Sequence, residues 1–510
     1  MLYLTNDDQL LPFFLPFGII GFYRYLWYLI KLVAWAVYQP VRPKDNPTYR
    51  PENDVTIIVP TIDAGEEFKI AARSWMACNP KEIIIITEEK MRGPLQELAD
   101  SVNPEKIRVL TVSRANKRLQ MTAGINATTT EIIVFADDDA IWKPTFLLYV
   151  LACFEDLKMG GVGTCQTVHA VAPSGYQTVW EVLAGFRLTI RNIEVAASTH
   201  IDGGVCCISG RTAAYRTLIL KDPAFQYGFT NDLWMGKYPL NSGDDKFLTR
   251  WMVSHGWNTY IQVCPEAELY STFKNNWRFI KQVLRWTRNT WRSDFRSLFT
   301  ERYIWFRHPY VAFTMVDKCF NPLTMLSGPV LVFVFAAQTR DNPHPHPIWN
   351  IVVSYICWLL LTRTFKLLPH LVRRPQDIIW IPAWLIFGYY FTIMKIYALF
   401  TLHEVGWGTR AGVGTVLASD IAKQDVAAAA AAVAAAAEAG GYKEDDVKIE
   451  LEDMNKGVSN EQPYPVDGIP VPRNQPAMTE VPLLAPPPRH AAQQIHQESL
   501  LDELEGRSQG

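Results

Sequence analysis

Three clusters in this 510-residue chain combine residue types at spacings that could do chemistry. The first is Phe135-Ala136-Asp137-Asp138-Asp139-Ala140, three carboxylates directly after a short apolar run. Neighbouring carboxylates repel one another unless a cation sits among them. Asp137 and Asp139 share one face of an extended segment, so both can reach a single hard divalent ion. Such an ion would clamp a diphosphate and neutralise it as it leaves; a solvated acidic turn is the simpler alternative. The second cluster is Asn241-Ser242-Gly243-Asp244-Asp245. Gly243 permits a tight turn, and the acids after it fall at the positive end of a helix. A carboxylate there can take a proton from a hydroxyl as general base, and a plain helix cap is the alternative. The third is Gln282-Val283-Leu284-Arg285-Trp286. Arg285 can pair with a phosphate and Trp286 can stack on a sugar ring, or the group can simply anchor the chain at an interface.

The elements that must position these clusters are legible as short β-branched runs: Val55–Val59, Ile83–Ile86, Ile107–Leu110 and Ile132–Phe135. Helix-compatible segments separate them, which predicts buried parallel strands in an α/β domain spanning 51–272. In such sheets the chemistry gathers at the carboxyl ends of the strands, where Asp137 falls. From Lys274 to Arg296 seven basic residues recur every three or four positions, interleaved with Trp277, Trp286, Trp291 and Phe295. That pattern predicts an amphipathic helix at a membrane surface, with an ordinary solvated charged face as the alternative.

Apolar segments flank the domain. Leu10–Tyr38, within an amino-terminal membrane segment 1–50, is long enough to cross ~30 Å of hydrocarbon and is not a cleavable signal, with a helix lying in the interface as the alternative that Arg24 and Lys31 leave. Arg42 and Lys44 behind it predict that the following domain is cytosolic. Cys319–Ala337, Ile348–Leu361 and Ile378–Leu402 are the further candidates, within a carboxy-terminal membrane and interface region 273–418. Four crossings would put the carboxyl terminus outside, so one of the last three segments is expected to lie in the interface. Residues 419–510, Ala- and Pro-rich, carry 7 Lys+Arg against 16 Asp+Glu and read as a disordered acidic tail. Apolar residues at 49% and charged residues at 20% suit a soluble domain joined to membrane segments. The eight cysteines show no CxxC spacing, which argues against a zinc site or a disulfide scaffold. No motif for nucleic-acid binding and no inverted repeat for transport is present.

Taken in order and flanked by apolar segments, the three clusters resemble the processive membrane synthases of glycosyltransferase family 2. The resemblance is to the hyaluronan synthase-like and chitin synthase-related enzymes, in particular their fungal polysaccharide-synthase branch, over about 54–410. It implies a GT-A-type nucleotide-sugar domain, a UDP-sugar donor, a growing glycan acceptor and Mn2+ or Mg2+ held by Asp137 and Asp139. Asp245 then matches the base that deprotonates the acceptor, with Asp244 beside it. Gln282, Arg285 and Trp286 match the QxxRW motif at the acceptor and diphosphate. Thr61 and Asp63 match the first nucleotide-contacting loop, and Lys117 and Arg118 a basic motif near the diphosphate. Glu88 stands where the family usually has an aspartate contacting the base. Gly210, Tyr215 and Arg216 match an SGxxxxYR segment behind the acceptor. Trp407, Gly408, Thr409 and Arg410 match a gating motif that closes over nucleotide and requires residue 410 to face the cytosol. The implied protein is a multi-pass enzyme of the plasma membrane, in contact with lipids and open to tail-binding regulators or homo-oligomerisation. A non-processive lipid glycosyltransferase and a catalytically silent regulatory relative are the rival readings.

Overall fold

The computed structural model describes residues 10–62, 65–170, 172, 177–273, 276–338, 340, 347–406, 420 and 424, with side chains in the first helix from Ile19 onward. Asp63, the four residues 407–410 and nearly all of the tail lie outside the described residues.

The four β-branched runs form strands Val55–Pro60, Glu82–Glu88, Ile107–Val112 and Ile132–Ala136, parallel to one another. Three of them are almost wholly buried, as continuous Ile/Val runs require, while Ile107–Val112, at the edge of the sheet, buries Ile107 and Val109 and exposes Arg108. Three more strands complete a seven-stranded sheet: Met159–Thr164, Thr212–Arg216 and Asn258–Gln262. Met159–Thr164 holds three glycines and escapes any search for apolar runs. Gly161 lies against the Tyr215 ring and Gly163 against Ile208 and Ile261, so larger residues would collide there. Thr212–Arg216 runs antiparallel to Ile132–Ala136, pairing Thr212 with Ala136 and Arg216 with Ile132. Its start therefore shares the carboxyl edge of the parallel strands with Asp137, and its end recedes to the opposite edge.

Three helices are long and apolar enough to cross a membrane by length and composition among the described residues: Pro309–Ala337, Ile348–Arg373 and Pro375–Phe400. The amino-terminal helix Leu10–Val37 is 28 residues long. A further helix, Val179–Asp202, belongs to the catalytic unit and packs against all four of these elements. Its start is fixed by a capping box in which Thr178 and Glu181 exchange hydrogen bonds. Charged pairs tie the apolar helices to it and to each other: Lys31 to Glu194 at 3.0 Å, Lys318 to Glu194 at 3.2 Å, and Arg24 to Asp317 at 3.4 Å.

The helix that carries Gln282, Arg285 and Trp286 runs Arg278–Phe295. The start of its basic stripe, Arg278 and Lys281, lies on the surface as the spacing suggested, whereas from Arg285 onward the stripe is partly or wholly covered by the protein. Only its first turns are open, with Trp277 73% exposed, whereas Trp291 and Arg292 are buried. Arg292 donates to the carbonyls of Leu402 and Glu404, Arg288 to Thr401, and Arg296 pairs with Asp232. That part of the stripe is turned inward because acids and free carbonyls of the protein face it.

Candidate active site

The site forms where the parallel strands end. Asp137 follows strand Ile132–Ala136, and its amide N–H donates to the Arg211 carbonyl at 2.8 Å, fixing the turn. Asn116 caps the helix Lys117–Ala127 by accepting from the Arg118 and Leu119 amides, which aims Lys117 back at the strand end. Lys117 Nζ then lies 3.0 Å from Asp137 Oδ1 and 3.2 Å from Asp244 Oδ2, one ammonium joining two of the three clusters. Burial alone would push the lysine down, but Asp137 and Asp244 outweigh it and hold it above its ordinary value. Asp137 is raised by burial and by Asp139 against the opposing pull of Lys117. Asp244 is lowered because Lys117 and Arg118 overcome its burial.

Gly243, at φ +81°, makes the turn that delivers Asp244 and Asp245 to the first turn of helix Asp244–Ser254. The Asp245 carboxylate is held at both oxygens: the Lys246 amide donates at 2.8 Å and the Cys207 thiol at 3.2 Å. Gly210 lies beneath the pair, where an added Cβ would stand 3.2 Å from Asp245 Cβ and 3.4 Å from Asp244 Oδ2. Asn116 Nδ2 donates to Asn241 Oδ1 at 2.9 Å, locking the capped helix to this turn. Lys117, Asp137, Gly210, Tyr215 and Asp244 line one narrow cleft.

Arg285 faces the same acids. Burial lowers it from its ordinary value, opposed by Asp244, Asp245 and Asp137. Trp286 lies beside Arg211, whose guanidinium carbon is 5.7 Å from its ring centroid. Gln282 presents a buried side-chain oxygen with no protein partner among the described residues. Thr61 donates to Asp138 at 2.5 Å, and Glu88 accepts from the Ala115 amide at 2.7 Å, one residue from the Asn116 cap.

Arg118, expected near the diphosphate, is turned away from the site, and Tyr215 and Arg216 of the segment expected behind the acceptor are engaged by the protein itself. Arg118 is buried at 1% exposure, pairs with Asp232 at 3.2 Å and donates to the Phe229 carbonyl. It points away from Lys117 because adjacent helical residues diverge by about 100°. Arg216, at the far edge of the sheet, donates to the carbonyls of Met159, Phe154 and Asp156 and to the Tyr49 hydroxyl. Tyr215 is wholly buried under the acid pair, a support rather than an acceptor contact. Conversely, Arg211 and Thr272 were missed. Arg211 stacks 4.2 Å over Phe273, and Thr272 donates to Asp139 Oδ2 at 2.5 Å. Arg211 sat unremarked within the SGxxxxYR segment; no pattern around Thr272 marks it.

The carboxylates of Asp137 and Asp139 each use one oxygen on Lys117 or Thr272 and keep the other. No third His, Cys, Asp or Glu joins them among the described residues. Two carboxylates completed by phosphate oxygens and water are a normal magnesium environment, so the donor set fits such an ion.

Parallel strands that end at a cleft with paired acids, and a basic helix across it, have the architecture of a GT-A-type transferase. The family described as "Glycosyltransferase like family 2" matches residues 51–289. A "Type 2 glycosyltransferase" of Gibberella zeae is 38% identical over 77% of this chain and 74% of its own. "NDP-glycosyltransferase ltbB" of Aspergillus luteorubrus is 32% identical over 73% of this chain and 92% of its own. "Hyaluronan synthase 3" of Homo sapiens is 23% identical over 66% of this chain and 57% of its own. The chain belongs to glycosyltransferase family 2, and it is an enzyme of the glycosyltransferase class.

Proposed function

We propose that this protein moves a sugar from a UDP-sugar to an acceptor hydroxyl with inversion, in a single displacement, and extends a polysaccharide at the cell surface by repeating it. The observation that carries the reading is the Lys117 bridge, 3.0 Å from Asp137 and 3.2 Å from Asp244. It sets the diphosphate acids and the acceptor acids on one wall a few ångströms apart. Lys117 and Arg285 attract the diphosphate and favour the charge that collects on it as the glycosidic bond breaks. Asp245, oriented by the Lys246 amide and the Cys207 thiol, takes the acceptor proton as the hydroxyl oxygen attacks the anomeric carbon from the opposite side. Asp137 and Asp139 would hold Mn2+ or Mg2+, which supplies Lewis-acid stabilisation of the leaving diphosphate.

Similarity to a hyaluronan synthase and the apolar helices around the site support polymerisation with passage of the product through the plasma membrane. The 32% identity to an enzyme named only as an NDP-glycosyltransferase is equally compatible with a second reading, a single transfer to a lipid acceptor. Membrane-reconstituted protein given UDP-GlcNAc, UDP-GlcA and UDP-Glc, singly and in pairs, distinguishes these. UDP release that disappears in Asp245→Asn is the expected result. Radiolabelled product retained on gel filtration as polymer supports repeated transfer, and a short extractable product supports the single one. Release undiminished in Asp245→Asn would remove the assignment of the base.

A further inference from the structure

The register of the sheet brings one more cation to the mouth of the site. Strand Thr212–Arg216 runs antiparallel to Ile132–Ala136 with Thr212 opposite Ala136. The Asp137 amide donates to the Arg211 carbonyl at 2.8 Å, which carries the pairing one residue beyond the strands. Arg211 therefore stands across from Asp137 at the carboxyl edge, and directly opposed residues of an antiparallel pair share a face. The acids that Arg211 faces are Asp139 and Asp137. Its seat is supplied by the residues that follow strand Leu269–Ser271. The guanidinium carbon lies 4.2 Å from the Phe273 ring centroid, and Nη1 donates to the Thr272 carbonyl at 3.3 Å. The Thr272 hydroxyl donates to Asp139 Oδ2 at 2.5 Å, so one residue positions both the arginine and the acid.

Arg211 is not placed as a simple counter-ion to these acids. Lys117 closes to 3.0 Å on Asp137 and 3.2 Å on Asp244, whereas no carboxylate among the described residues comes within ion-pair distance of Arg211. Its Nε and Nη2 donate to no protein group among the described residues, and neither is sealed from solvent. Arg211, Asp137, Asp139 and Arg285 each keep part of their surface open, so these donors look into the same mouth as the acids. Stacking on Phe273 fixes the plane of the fork, and a planar fork with two free donors matches the oxygens of a phosphate. A guanidinium held near two acids but off them leaves room for an anion between.

We propose that Arg211 is a ligand of the donor diphosphate, which it reaches from the Thr272 side. It shares with Lys117 and Arg285 the negative charge that gathers on the departing UDP. No proton or bond passes through it. The inference deepens the transferase reading and rests on it.

The test is equilibrium titration of the full-length protein in detergent with UDP and with UMP, which lacks the second phosphate, at one fixed Mg2+ concentration. Arg211→Gln is expected to lose about tenfold or more of the preference for UDP over UMP, the size of one charge-assisted pair. Arg211→Lys keeps the charge without the fork and falls between. In turnover with the donor, kcat of Arg211→Gln falls by more than KM rises, because the charge on the diphosphate grows towards the transition state. Arg211→Met keeps the apolar stem on Phe273 and takes the place of Arg211→Gln should that variant not fold, as judged by thermal unfolding. An unchanged preference for UDP in the variants, or equal weakening of both nucleotides, would overturn the assignment and leave the transferase reading standing. Wild-type protein that binds neither nucleotide would overturn both.

Discussion

Asp245 is the residue whose loss should separate chemistry from binding. Its two oxygens accept from Cys207 and Lys246, while Lys117 pairs with Asp137 and Asp244 and not with Asp245. Asp245→Asn keeps the shape and removes the proton acceptor. We expect UDP release to fall by about 10²- to 10⁴-fold with UDP affinity unchanged, measured by turnover and by equilibrium titration. Asp232 makes the opposite kind of prediction, about stability. Burial would raise it, but Arg296, Arg118 and Arg250 prevail and lower it to about 2 from an ordinary 3.8. A carboxyl lowered on folding stabilises the protein above its unfolded value and loses that contribution as pH falls from about 4 towards 2. Asp232→Asn should therefore be less stable at neutral pH by roughly 3 kcal/mol and show a flatter acid limb, followed by thermal unfolding in detergent between pH 2 and 7. These two aspartates also mark what sequence could convey. Asp137, Asp139, Asp244 and Asp245 stood in recognisable local strings, as did Lys117. That Arg118 belongs to Asp232 and not to substrate depends on a contact between residues 114 positions apart, which no local string encodes.

Among the elements, helix Ile381–Phe400 decides how the chain meets the membrane. It runs alongside the QxxRW helix: Phe387 stacks on Phe279, Trp291 donates to the Lys395 carbonyl at 3.0 Å, and Arg292 holds the Leu402 carbonyl at 3.0 Å. At its beginning, Asp377 meets His370, which also contacts Thr189 of the catalytic unit. Both ends of this apolar helix are thus fastened to the side that carries the active site. We propose that it lies along the interface while Leu10–Val37, Pro309–Gln338 and Ile348–Arg373 cross. A single cysteine placed at Arg340 in a protein freed of reactive native thiols should then be labelled by an impermeant maleimide from outside intact cells, and one at Glu404 only after permeabilisation. Labelling of position 404 from outside would refute the arrangement. Length and hydropathy could not make this distinction, because apolar helices that span and apolar helices that bind another helix have the same composition. The β-branched strands were legible for the converse reason, that burial on both faces leaves a continuous Ile/Val signature. Met159–Thr164 lacks one because Tyr215 and Ile208 fill the space where its side chains would stand.

At the scale of the molecule, the catalytic unit and the apolar helices are one folded body around helix Val179–Asp202. The family match ends at residue 289, and a soluble enzyme cut there looks feasible from sequence. The packing argues against it. Val182, Leu183 and Phe186 lie in a cluster with Phe279, Leu367, Leu371, Ile381 and Phe387, so removal of the carboxy-terminal helices bares an apolar face. Phe186 alone contacts His370 and Trp384 at ring-centroid distances of 4.8 and 5.8 Å. Glu194 would lose Lys31 and Lys318, the charges that hold it below the ordinary carboxyl range against its burial. Arg288 and Arg292 would lose the carbonyls and hydroxyl supplied by 401–404, and the QxxRW helix would no longer be pressed onto Asp244 and Asp245. A fragment of residues 51–289 should therefore elute as aggregate on gel filtration and release no UDP, whereas residues 1–406 in detergent should stay monodisperse. The longer fragment lacks the segment for which gating is expected, so it is judged by its folding and by binding of UDP. A monodisperse, UDP-binding 51–289 fragment would mean that the apolar helices only tether the enzyme, and that Arg285 reaches its acids without their support.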